Sequence, residues 1–176
     1  EDLPKDDEKR RLYEVGKHLL AKKGYHEIGM DHFALKRDTM FQSFQEGKLH
    51  RNFMGYTSSK TQLMIGLGVS SISDSWYGFA QNEKTLEDYY ARLENNEIPV
   101  FKGHILTEED LIIRRHILNL MCQFITSWDQ SHLYFEELPE VLAQLQEMEN
   151  DGLLIMQHNA ITVTEKGKPF VRNICM

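Results

Sequence analysis

The stretch Gly24-Tyr25-His26-Glu27-Ile28-Gly29-Met30-Asp31-His32-Phe33-Ala34 decides how the chain is read. Ile28 to Met30 is a short apolar run that looks like a buried strand, and it leads straight into the polar pair Asp31–His32. A polar pair at the carboxyl end of a buried strand is where α/β proteins place ligands. Before it, Leu12, Val15 and Leu19 recur at helical spacing and Gly24 suits a helix end. A helix followed by a buried strand predicts an α/β arrangement for the first part of the chain.

Further along, Asp38 is placed to cap a helix carrying Met40, Phe41 and Phe44, closed by Gly47. His50-Arg51-Asn52-Phe53-Met54-Gly55-Tyr56 is too polar and too aromatic for plain core. An apolar segment from Leu63 to Ile72 is broken by Gly66 and Gly68. Gly66-Leu67-Gly68 lacks the third glycine of a dinucleotide fingerprint, so it reads as a strand in which glycines permit close backbone approach. Thr85 with Asp88 forms a capping pattern for a helix through Leu93, ended by Asn95-Asn96.

The composition changes near residue 104. Thr107 with Asp110 opens a helix carrying Leu111, Ile112, Leu118, Met121 and Ile125, with Phe124 adjoining, and Pro139 opens another that ends near Asp151-Gly152. Leu153–Met156 and Ile161–Val163 flank a turn at His158-Asn159 and predict a hairpin. A last helix carries Phe170, Val171 and Ile174, and Pro169 requires it to start late or kink. Helix, helix, hairpin, helix is a winged-helix-like order. The hairpin tip has no lysine or arginine, which a DNA-reading wing would need.

The 176 residues are 41% hydrophobic and 27% charged, an ordinary globular composition. A net charge of −7 argues against nucleic acid as a partner. No apolar stretch is long enough for a membrane span, and no secretory leader is visible. Two distant cysteines, Cys122 and Cys175, fit a reducing compartment, so a cytoplasmic location is expected. The chain begins at Glu1, consistent with an excised piece.

Single motifs leave the chemistry open. Asp31–His32 is a structural pair, a polar cavity wall or, least favoured, a metal site. Phe53, Met54 and Tyr56 are core, or they stack on a flat ligand. Arg114 and Arg115 are a surface or interface pair, or they hold a carboxylate.

Taken together and in order, the motifs resemble the oxygen-independent coproporphyrinogen III oxidases. The resemblance runs through Gly24 to Ala34, Leu49 to Phe53, Gly55-Tyr56-Thr57 and Gly66 to Ser73. It continues through Ala80-Gln81-Asn82, Gly103-His104, Leu106-Thr107, Arg114-Arg115 and Met121-Cys122, and closes with Val163-Thr164, Lys166-Gly167 and Arg172 to Met176. It implies α/β plus α architecture. Residues 1–103 would supply the last elements of an incomplete β/α radical S-adenosylmethionine (SAM) barrel and the strands beside them. Residues 104–176 would form a mostly helical, winged-helix-like carboxy-terminal domain.

The implied activity is radical SAM oxidative decarboxylation of coproporphyrinogen III propionates, giving protoporphyrinogen IX in haem biosynthesis. The family's cofactors are SAM and a [4Fe–4S] cluster on three closely spaced cysteines. Those cysteines are absent here, so this piece alone is expected to be inactive and to hold no cluster. Ile72 matches a SAM-contacting position, and Phe53 a position lining the cofactor and substrate cavity. Met54 stands where glutamine is common, which removes a possible hydrogen bond worth on the order of 1 kcal/mol. Coproporphyrinogen III is the implied partner, and the sequence points to no electron donor. Unpartnered barrel elements would favour self-association. The rival expectation is a winged-helix interaction module without an enzymatic parent.

Overall fold

The computed structural model describes residues 3–128 and 133–176, so Glu1 lies outside the described residues. Helix α1 (Asp6–Lys22) stops at Gly24, whose φ of 84° turns the chain into β1 (Tyr25–Gly29). The Tyr13 hydroxyl ties α1 to this strand, 2.7 Å from Glu27 Oε1 and 2.8 Å from the Met30 carbonyl.

Strand β1 pairs antiparallel with β2 (His32–Leu35). The expectation for Asp31–His32 changes accordingly. Met30 has a φ of 51° and reverses the chain, so the pair sits at a hairpin tip and not at the end of a parallel strand. Helix α2 (Thr39–Gln45) starts where Asp38 accepts from the Met40 amide at 2.8 Å, as expected from its position.

A second hairpin joins β3 (His50–Asn52) to β4 (Gly55–Thr57) across the turn Phe53-Met54. The Met54 amide donates to Asn52 Oδ1 at 2.9 Å and fixes that turn.

The apolar segment from Leu63 to Ile72 is not one strand. It gives β5 (Leu63–Met64), a folded-back loop, and the start of β6 (Ile72–Ser75). The close approach expected of Gly66 is present: a Cβ there would lie 2.8 Å from the Ile72 carbonyl oxygen. Asn82 Nδ2 donates to the carbonyls of Gly66 (3.2 Å) and Gly68 (2.9 Å), which holds the loop against the sheet. Strands β7 (Gly78–Asn82) and β8 (Val100–Ile105) complete a four-stranded sheet in the order β5-β6-β7-β8. Helix α3 (Leu86–Glu94) bridges the last two, capped by Thr85 and ended at Asn95.

Helix α4 (Glu108–Gln123) carries the capping box of Thr107 and Asp110 and ends at Phe124 in the left-handed region, φ 61°. Ile125, expected in this helix, instead opens strand β9 (Ile125–Ser127), because the left-handed Phe124 breaks the helix before it. Helix α5 (Leu138–Asn150) has Pro139 in its first turn. Strands β10 (Leu154–Gln157) and β11 (Ala160–Val163) form the expected hairpin, and β9 adds to it in the order β10-β11-β9. The chain closes with a 3₁₀ turn (Lys168–Phe170) around Pro169 and the short α6 (Val171–Ile174). Pro169 thus delays the last helix, as its ring requires.

All strand pairings among the described residues are antiparallel. The fold is mixed α/β, built of hairpins and not of parallel crossovers. Residue 104 falls within β8, and one buried apolar cluster draws on both sides of it. Ile28, Ala34 and Tyr56 belong to the same core as Leu120, Leu154, Ile161 and Val171. Elsewhere apolar side chains face outward: Leu12, Val15 and Leu19 on α1, Leu86 and Tyr90 on α3, Phe101 and Ile105 on β8.

Inside the carboxy-terminal part, buried His116 joins α4 to its neighbours. Its Nε2 lies 2.7 Å from the Leu133 carbonyl, so Nε2 carries the proton and donates. Nδ1 then accepts from the Thr126 hydroxyl at 2.8 Å. Burial favours the neutral ring and lowers the His116 pKa, against a smaller opposite effect of the Leu133 hydrogen bond. His50 is lowered too, first by burial and then by Lys60 and Arg114.

A folded-state value below the unfolded one, about 6.5, means the unfolded chain takes up these protons first as pH falls. Stability is therefore full above that value and declines below it. The denaturant midpoint should drop between neutral pH and about pH 5, and His116→Gln should flatten the slope. A parallel pH profile in the variant would show that His116 is not responsible.

Candidate functional site: a cleft at the edge of the four-stranded sheet

Antiparallel register brings residues distant in sequence side by side. Ile72 opposes Gln81 across β6 and β7, and Ala80 opposes Gly103 across β7 and β8. Gly103 lets the strands close up, since a Cβ there would stand 3.0 Å from the Phe79 carbonyl oxygen. Phe53 projects from the β3–β4 turn and meets Phe79 edge to face, ring centroids 5.1 Å apart.

Together Phe53, Ile72, Phe79, Ala80, Gln81, Lys102, Gly103 and His104 line a cleft of about 290 Å³. It offers apolar faces, one amide and one ammonium group. A flat heteroaromatic ring with a polar edge suits such a lining. The cleft is continuous through Phe53, Phe79 and His104 with a larger apolar hollow of about 500 Å³, walled by Arg51, Arg114, Ile113 and Ile117.

Of the three site residues expected from the sequence, the structure unites Phe53 and Ile72. Met54, 83% exposed, lies outside the cleft lining. Phe79, Gln81, Lys102 and His104 were not singled out. Gln81 and His104 lie among the resembling motifs, in Ala80-Gln81-Asn82 and Gly103-His104, whereas Phe79 and Lys102 fall just outside them.

The support of the cleft is electrostatic as well as apolar. Arg114, on α4, reaches across to β6 and donates to both oxygens of buried Asp74, at 2.8 and 3.1 Å. It also donates to the carbonyls of Ser75 and Trp76, each at 3.2 Å. Its guanidinium lies 4.7 Å from the Trp76 ring centroid and 4.9 Å from that of Phe79. His104 Nε2 lies 3.2 Å from Asp110 Oδ2. Hydrogen bonds from Thr107, first among the causes, hold the Asp110 carboxyl below its usual range.

Phe53 apart, the motifs around residues 29–32 and 51–56 converge on Tyr56. Tyr56 donates to the Met121 carbonyl at 2.8 Å, and burial pushes its phenol pKa up. Gly29 makes room for it, since a Cβ there would lie 2.5 Å from Tyr56 Oη. His32 meets the Tyr56 ring edge-on at 5.0 Å, and the Arg51 guanidinium stacks 4.8 Å from its centroid. Asp31 Oδ1 lies 3.0 Å from His32 Nδ1, yet that nitrogen gains no aligned hydrogen bond.

Cys122 and Cys175 are free thiols pushed up to about 12 by burial. Two cysteines do not make up the set of thiolates that an iron–sulfur cluster needs. Among the described residues there is no group of three or more potential metal ligands and no helix long and apolar enough to cross a membrane.

Comparison with known proteins is consistent along the whole chain. The oxygen-independent coproporphyrinogen III oxidase of Escherichia coli (strain K12) is 37% identical over 180 residues, covering 99% of this chain and 39% of that protein. The Synechocystis protein of the same name is 36% identical over 98% of this chain and 39% of its own length. A solved structure of the Escherichia coli coproporphyrinogen III oxidase, a radical SAM enzyme, superposes with a TM-score of 0.91 at 36% identity, over 99% of this chain and 42% of that one. The chain thus spans about two fifths of the curated relatives it matches. No protein-family model matches it.

Proposed function

We propose that this chain, homologous from end to end to a portion of the oxygen-independent coproporphyrinogen III oxidases, forms one wall of the chamber in which such an enzyme binds SAM and coproporphyrinogen III. The parent reaction on this reading is the radical SAM decarboxylation of two propionates to vinyl groups, yielding protoporphyrinogen IX in the cytoplasm. Residues 1–103 take the role of barrel end with adjoining strands, and residues 104–176 that of a supporting domain. The cluster ligands, and with them the chemistry, belong to a part of the parent that this chain does not contain.

One observation carries the reading. Phe53 and Ile72, nineteen positions apart, line the same cleft with Phe79. In this role Phe53 and Phe79 offer ring edges and faces to adenine, and Ile72 excludes water beside them. Gln81 supplies an amide at the polar margin.

Equilibrium dialysis of the purified chain with radiolabelled SAM tests this. Phe53→Ala should weaken binding by about tenfold, the loss of one large aromatic contact, with a smaller effect from Ile72→Ala. Met54→Ala should leave it unchanged. Equal affinity in the Phe53 and Ile72 variants would remove the cleft from consideration.

A further inference from the structure

A second pocket, of about 420 Å³ and sharing no lining residue with the cleft, opens between α4, the β3–β4 hairpin and Trp76. Its lining includes Lys48, His50, Lys60, Trp76 and Arg115, and it includes no carboxylate. That is unusual for a chain with a net charge of −7.

Three cations crowd one indole. Lys60 Nζ lies 5.2 Å from the Trp76 ring, and the guanidinium carbons of Arg114 and Arg115 lie 4.7 and 5.7 Å from it. Arg114 is neutralised by Asp74 at 2.8 Å, and Lys48 by Glu46 at 2.8 Å. Lys60 and Arg115 make no ion pair among the described residues. The indole face offsets part of their mutual repulsion, and a polarised wall of this kind favours an incoming anion. Buried His50 completes the floor, with Lys60 and Arg114 both disfavouring its charged form. The hollow is concave, bounded by an aromatic plane and lined by donors, which a plain solvated charge run is not.

We propose that this pocket binds a small multivalent oxyanion, a phosphate or a carboxylate, with Lys60 and Arg115 as its direct ligands and Trp76 as the wall that positions them. The site is separate from the Phe53–Ile72 cleft, and its existence does not depend on the function proposed for that cleft. Arg115 supplies a planar fork for two oxygens, and Lys60 a mobile point charge that closes from the other side.

Calorimetric titration of the whole chain with pyrophosphate and, separately, with citrate tests it, at ionic strength matched with chloride. Heteronuclear NMR should show the Trp76 indole resonance moving on saturation. Lys60→Gln and Arg115→Gln should each weaken binding by about tenfold, the loss of one charge-assisted contact. Arg37→Gln, an exposed charge elsewhere, should leave it intact. Binding of only one of the two probes would support the site and identify its chemistry as phosphate or carboxylate. The proposal is overturned if neither probe binds beyond the chloride control, if Arg37→Gln weakens binding as much as Lys60→Gln, or if the Trp76 indole does not move.

Discussion

Gly167→Ala is expected to abolish the cooperative unfolding transition of the chain. A Cβ at this position would overlap the Leu153 carbonyl oxygen and lie 2.7 Å from its carbon. The obstacle is backbone, and it has nowhere to go. The Leu153 amide donates to the Met148 carbonyl at 2.9 Å, and the Leu153 carbonyl accepts from the Thr164 amide at 3.0 Å and the Thr164 hydroxyl at 3.1 Å. The next residue, Leu154, is 1% exposed. Relief requires breaking the junction between α5 and β10 or unseating α6, and either costs more than about 4 kcal/mol. That is a large share of the stability of an ordinary domain.

Gly16→Ala is the matched control. Nothing stands within 4 Å of the place its Cβ would take, and it lies inside α1. Alanine there should raise stability by about 0.5–1 kcal/mol. Thermal melting followed by circular dichroism separates the two cases. A Gly167→Ala melt that overlays the parent curve would show that the Leu153 backbone can yield.

The second large effect is at Arg114. Arg114→Ala leaves Asp74, 8% exposed, without its partner and strips a guanidinium from the Trp76 and Phe79 rings. Removing one member of a buried pair costs about 3–5 kcal/mol, because the remaining charge is stranded. The double variant Arg114→Met with Asp74→Leu should recover much of that loss, since no uncompensated charge stays behind. Chemical denaturation of the two singles and the double gives the coupling directly. The consequence reaches the cleft, because Asp74 lies two residues from Ile72 on β6. Arg114→Ala should therefore weaken ligand binding there as well, although Arg114 itself borders only the adjoining hollow. Independent, additive losses in the double variant would argue against the pair as a unit.

Helix boundaries were the most legible part of the sequence. Thr107 with Asp110, Thr85 with Asp88, Asp38 and Pro139 all sit where the structure starts a helix. Each signal is settled within one turn of chain: Thr85, Thr107 and Asp38 accept from amides two or three residues on, and Pro139 supplies a helical φ where no amide is needed. The hairpin about His158-Asn159 was equally local.

What was not legible depends on distant pairing. Ile28–Met30 looked like the end of a strand in a parallel layer because the left-handed φ of Met30 has no sequence mark. Three-residue β9 exists because Ala160 to Thr162 pair with it from more than thirty positions away. The loop after Met64 is held by Asn82, again far along the chain.

The cleft divides in the same way. Phe53 and Ile72 came from a resemblance, whereas Phe79, Lys102 and His104 join them only through the register of β6, β7 and β8. Met54 shares the turn with Phe53 but is 83% exposed and takes no part in the lining.

The outer margin of β8 has one further consequence. From Phe101 to Ile105 this strand is exposed, and it is the last in its sheet, so one row of its amides and carbonyls is left to solvent. Leucine and valine on α1 stand equally bare. Such a molecule in isolation resembles a jigsaw piece with its tabs showing. An open strand edge beside bare apolar side chains is a surface on which a further strand can add.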